Sequence, residues 1–187
     1  MSLEKEKIVE NAKKYFDTAT KLGFMNESLM TFLGQAFIAA PASNLEQFNN
    51  AFEGGLIAHL LNTAKYAVLI NKSLPADEQV NQNSLVKVCL LHQIGKANLF
   101  IPCTSEWHRK NQGKMYEFNE DLTSMRVGER SIYYAVSHGI TLTEDEYVAI
   151  SNFDKVDDKM AELHNSMVGD LLKMGSLLAI KNEKKIC

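Results

Sequence analysis

Imidazoles are the side chains best suited to hold a metal ion or move a proton near neutral pH, and this chain has five: His59, His92, His108, His138 and His164. Placement separates two of them from the rest. His59 follows a Gly54-Gly55 bend in the first turns of a helix, and His92 closes the apolar run LVKVCLLHQIG just ahead of Gly95. Both are polar rings at helix ends in apolar surroundings, where burial without a hydrogen-bond partner is costly. The bland reading is a pair of satisfied core histidines; the sharper one is a pair of metal ligands. Glu53, beside the glycine bend, is the nearest carboxylate in sequence to His59 and a candidate partner for its ring, with simple exposure as the rival reading. Arg130 can meet a phosphate at a helix N-terminus or form a surface pair with Glu129 or Glu146. Lys96 sits where a cation suits a helix C-terminus.

The elements that must position these residues are helical. Ile8, Val9, Ala12, Phe16 and Ala19 recur at helical spacing and predict an amphipathic helix that Gly23 ends. Leu29, Met30, Phe32, Leu33, Ala36 and Phe37 predict a second, stopped at Ala40-Pro41. A third runs from Leu56 towards Asn71. Asn83 or Ser84 caps the apolar segment that ends in His92, the expected centre of the core, with Gly95 as its stop. GERSIYYAVSHG reads as a helix ending at Gly139, and Thr143 with Glu146 fits a capping box for a short helix through Ile150. A long helix from Asp157 or Asp158 to Lys181 is expected to turn Met160, Leu163, Met167, Leu171, Met174 and Leu178 inward. Residues 105–118 alternate about Asn111-Gln112-Gly113 and predict a β-hairpin, pinned to the core by Trp107, Tyr116 and Phe118. The fold class is therefore all-α: one domain over residues 1–187, about seven helices with one hairpin insertion.

Composition narrows the partners. In 187 residues, 45% are hydrophobic and 23% charged, enough for one substantial core. A net charge of −3 supplies no basic field for nucleic acid or an anionic membrane. The C-terminal run KNEKK reads as a solvated helix end. No apolar run matches a bilayer span, and the charged N-terminus does not resemble a signal peptide, so a cytoplasmic location is expected. Cys89, Cys103 and Cys187 lack finger spacing and read as free thiols, Cys89 in the core.

A family resemblance rests on these same residues. FEGGLIAHLLNTA resembles the entry motif of HD-domain phosphohydrolases, and LVKVCLLHQIGKANLF resembles their second motif, an apolar helix ending in His-Asp, Ile or Leu, then Gly-Lys. VGERSIYY and LTEDEYVAI resemble later segments of a subgroup that also carries a hairpin, so the similarity covers most of residues 50–180. It implies an HD-like helical bundle in which imidazoles and carboxylates hold divalent ions that polarise a phosphoryl oxygen and activate water. It also implies a contact between Lys96 and a substrate phosphate.

The implied ligand set is depleted. Gln93 stands where the aspartate belongs, Val127 where a histidine precedes Gly-Glu-x-Ser, SNFDK (with Asn152) where another histidine follows, and Ser176 falls in the late segment that should bring an aspartate. His59 and His92 remain. Two imidazoles hold zinc weakly and do not hold magnesium or manganese. The resulting expectation is impaired or absent metal-dependent catalysis, no resident metal or other cofactor, and binding of a nucleotide-like or phosphorylated ligand or a protein partner at a pocket containing Glu53, Gln93, Val127, Asn152 and Ser176, with homo-oligomerisation left open. Two alternatives stay open: an active phosphohydrolase whose site is rebuilt by Asp154, Asp157 or His164, and a structural or oligomerising helical module.

Overall fold

The computed structural model describes residues 3–155, 159 and 164–183. Among them the helical periodicities become eight α-helices: α1 (Lys5–Lys21), α2 (Glu27–Ala39), α3 (Gly55–Ser73), α4 (Gln82–Leu91), α5 (Glu106–Gln112), α6 (Val127–Ser137), α7 (Glu144–Ser151) and α8 (Met167–Glu183). A 3-10 turn at Ile94–Lys96 follows α4. Two short strands, β1 (Phe100–Pro102) and β2 (Tyr116–Phe118), pair antiparallel with Ile101 opposite Glu117. The all-α class holds. No described helix is long and apolar enough to cross a membrane.

Local signals account for several boundaries. Thr143 and Glu146 form the expected capping box, each side chain accepting the other's backbone N–H. The bend before α3 turns on Gly54, which adopts the left-handed conformation at φ 76°. Asn81, not Asn83 or Ser84, caps α4: its Oδ1 accepts from the N–H groups of both those residues, so the helix begins earlier than expected. α4 packs against α1, α3, α6, α7 and α8 and buries Leu85, Val88, Cys89, Leu90 and Leu91, which makes it central as expected.

The insertion differs from the expected hairpin. Residues 106–112 are helical because Ser105 Oγ accepts the His108 N–H at one end and Gly113 takes the left-handed conformation (φ 61°) at the other. The strands lie outside that helix, and Trp107 and Phe118 are exposed, so they do not pin it to the core. Phe118 packs instead on Phe100 across the ladder.

Three helices are rotated from the faces that hydrophobicity alone suggests. In α1, Val9 is exposed and Tyr15 is buried, its hydroxyl donating to the Leu90 carbonyl at 2.9 Å. Met30 and Phe32 of α2 are likewise exposed. In α8, Met167, Met174 and Leu178 face out while Leu171, Leu172, Gly175, Ser176, Ala179 and Glu183 face in. The small residues of that inner stripe let α8 lie close along α3, its main packing partner. The expected helix start at Asp157 or Asp158, with Met160 and Leu163, lies outside the described residues.

Candidate functional site

Helices α3, α4 and α8 bring His59, His92 and Ser176 together. His59 projects from the second turn of α3, and His92 terminates α4; their rings lie 6.4 Å apart, both buried. The backbone beyond His92 reaches this position by passing very close to α6. A Cβ at Gly95 would lie 2.7 Å from the Val127 carbonyl oxygen and 2.9 Å from both Arg130 Cβ and Ser131 N, so this crossing requires glycine. Ser131 ties the crossing down. Its hydroxyl accepts the Gly95 N–H at 2.9 Å and lies 3.0 Å from the His92 carbonyl and 2.8 Å from that of Val127, one of which takes its proton.

The hydrogen bond of His92 fixes how its ring is protonated. A carbonyl only accepts, so the 2.8 Å contact from His92 Nδ1 to the Cys89 oxygen puts the ring hydrogen on Nδ1. Burial, then the adjacent His59 ring and the charge of Lys96, hold the His92 pKa well below its ordinary value. His92 is accordingly neutral, and its Nε2 carries a bare lone pair with no hydrogen-bond partner among the described residues. His59 is held the same way: Nδ1 donates to Glu183 Oε2 at 3.0 Å, leaving Nε2 directed to Ser176 Oγ at 3.5 Å. Anchoring one ring nitrogen and freeing the other is how ligand histidines are prepared.

Glu183 is the functional neighbour that the sequence did not reveal. It receives His59, Asn62 Nδ2 (2.9 Å) and Asn49 Nδ2 (3.0 Å), and is itself buried. Burial works against its charge, but the bond to His59 and those from Asn62 and Asn49 outweigh it and hold the carboxyl below its ordinary value. The charged run around it thus does not form a uniformly solvated end. Glu53, the candidate partner for His59, is exposed and lines a separate groove of about 410 Å³ with Pro41, Ala97, Pro102, Tyr116 and Asn119.

Among the described residues, no third His, Cys, Asp or Glu joins the pair in a group that could hold a metal ion. Gln93 is buried, and its Oε1 accepts from Lys96 Nζ at 3.1 Å. The phenyl ring of Phe153 packs edge-on against His92, centroids 4.4 Å apart. Val127 opens α6 with an aliphatic side chain, and Asn152 caps α7 with its Oδ1 accepting from Lys155 at 3.1 Å. Asp154 Oδ2 accepts the Gly128 N–H at 3.2 Å, while Oδ1 is buried without a hydrogen-bond partner among the described residues. His164 is exposed, and Asp157 lies outside the described residues.

No family model, curated protein or solved structure matches this chain. Its chemistry is therefore read from its own geometry.

That geometry supplies two prepared imidazole nitrogens and, among the described residues, no carboxylate hydrogen-bonded or stacked beside His92. A pair of imidazoles lacks the anionic oxygen donors that magnesium and manganese require. Among the described residues, the donors beside the pair do not fit a hydrolytic magnesium or manganese centre.

Lys96 and Arg130 are better defined than the sequence suggested. Lys96 is not a solvated helix-end lysine: its Nζ donates to the Ala42 carbonyl at 2.6 Å and to Gln93, and burial lowers its pKa to about 8 against the opposing field of Asp154. Arg130 forms no ion pair with Glu129 or Glu146. It is buried and donates to the Thr123 carbonyl, pinning the loop before α6, while Glu146 pairs with Lys87 at 2.6 Å.

Proposed function

We propose that this chain is an HD-domain-like protein that retains the helical scaffold and the two motif histidines, has no metal-dependent hydrolase activity, and binds a nucleotide-like or phosphorylated ligand. One observation carries the loss of catalysis: His92 offers a buried, unpartnered Nε2 beside His59, yet Gln93 is committed to Lys96 and Phe153 covers the ring. The ligand half of the proposal rests on Lys96. Its ammonium is held by two neutral oxygens, with no ion pair among the described residues, and the backbone on either side of those contacts, at Pro41 and Ala97, lines the 410 Å³ groove. A half-buried cation without a contacting counter-ion is a natural phosphate partner.

The test has two arms. Replacing His92 by alanine should leave the transition-metal content of protein purified without chelator unchanged, and the wild type should not hydrolyse a panel of nucleotides and phosphodiesters with added manganese. Hydrolysis that disappears in His92→Ala would replace the proposal with an active phosphohydrolase. In the second arm, a nucleotide panel should raise the melting temperature of the wild type and not that of Lys96→Met; no response from any member would remove the ligand reading. The buried network of His59, Glu183, Asn49 and Asn62 favours a purely structural helical module in that event, because it already clamps α8 to α3.

A further inference from the structure

We propose that the β1–α5–β2 insertion carries a second site, outside the histidine pair, in which Cys103, His108 and Glu117 bind one zinc ion. The three side chains each place a donor atom within 4.8 Å of the others, and no other group of three or more His, Cys, Asp or Glu residues does so among the described residues.

The ladder explains why two of them meet. Glu117 pairs opposite Ile101, and Cys103 lies two residues beyond Ile101, so the period of two in an extended chain turns Cys103 and Glu117 to the same face as diagonal neighbours. The backbone keeps that register past the strand, with the Cys103 N–H donating to Met115 O at 3.0 Å. Glu117 is steadied by accepting the Thr104 N–H at 3.3 Å. The third donor comes from α5, whose start is fixed by Ser105 accepting the His108 N–H, and whose end folds back as the Lys114 N–H donates to His108 O at 3.2 Å. Cys103 is buried; His108 and Glu117 are half-buried, so an ion can enter.

The donor chemistry selects the ion. Thiolate with imidazole and one carboxylate suits a borderline-soft cation and disfavours magnesium and calcium. Three protein ligands leave one tetrahedral position for water. Binding replaces the thiol proton with the metal and releases that proton. Zinc here would cross-link β1, α5 and β2, a segment whose exposed Trp107 and Phe118 leave it little core of its own.

The experiment uses the full chain, reduced and stripped with chelator, titrated with zinc against a chromophoric competitor and, separately, with cobalt(II). One equivalent should bind, and the cobalt form should show a thiolate charge-transfer absorption. Cys103→Ser should abolish that absorption, and Cys103→Ser, His108→Ala and Glu117→Gln should each weaken zinc by more than about tenfold, since even outer-sphere partners of metal ligands are worth roughly ten- to a hundredfold. His92→Ala should change neither. The inference is overturned if less than one equivalent binds, if the cobalt spectrum survives in Cys103→Ser, or if binding is lost in His92→Ala. Circular dichroism of the three ligand variants separates lost ligation from lost folding; the half-buried His108→Ala keeps the test valid should Cys103→Ser not fold.

Discussion

Replacing Glu183 with alanine should destabilise the protein by about 3 kcal/mol. The carboxylate is the shared acceptor for His59, Asn62 and Asn49. Removing a buried hydrogen-bond acceptor costs roughly 1–3 kcal/mol, and more where it is charged, because the abandoned partner stays desolvated. The upper end applies here: Asn49 and Asn62 are half-buried and can turn to water, whereas His59 cannot. Urea unfolding at neutral pH gives the difference directly, and a cycle with His59→Ala isolates the pair, since the double variant should cost much less than the two single losses added. Acid supplies an independent check. The folded carboxyl titrates below its ordinary value of 4.5, so its contribution is complete above that value and is lost as pH falls through the folded pKa. The gap between wild type and Glu183→Ala should therefore close in acid. A gap under about 1 kcal/mol at neutral pH, or one that persists unchanged at acid pH, would refute the reasoning.

Gly95→Ala should cost about 1–3 kcal/mol by driving α6 away from the turn after His92, seen as a lower urea midpoint; an unchanged midpoint would mean that the crossing is not tight. Gln93→Asp with Val127→His should create zinc affinity at His59 and His92, measured by competition in a Cys103→Ser background; a double variant with no metal affinity would show that Phe153 and the Lys96 contact have closed the site. Lys96 titrates near 8 when folded and near 10.5 when not, so the unfolded chain binds more protons between those values and Lys96 makes stability rise with pH there. Lys96→Met should flatten that rise, and denaturation series from neutral to alkaline pH on both proteins will check it.

What could be read ahead of the structure was the information that the chain carries locally. The capping box at Thr143 and Glu146, the Gly54-Gly55 bend and the apolar run ending in His92 each depend on residues a few positions apart, and each held. The stretch from Ser105 to Gly113 contains equally local signals, but they compete: polar and apolar alternation argues for strand, while a serine N-cap and a left-handed glycine define a helix, and the backbone hydrogen bonds decided in favour of the caps. What was illegible depends on distance. Glu183 joins His59 across 124 residues, and its place in a charged run argues for solvent until α8 is seen to pack on α3 through Gly175, Ser176 and Ala179. The same limit hid Cys103, His108 and Glu117: read along the chain they lack metal-site spacing, and only the strand register and the fold-back at His108 make them neighbours. Histidine placement therefore pointed to a buried cluster, while the chemistry of that cluster is set by partners from other elements: Glu183 and Ser176 from α8 and Phe153 after α7. The tautomer of His92 follows from the Cys89 carbonyl and the orientation of His59 from Glu183 and Ser176, which is why the two histidines mark the site without defining what it does.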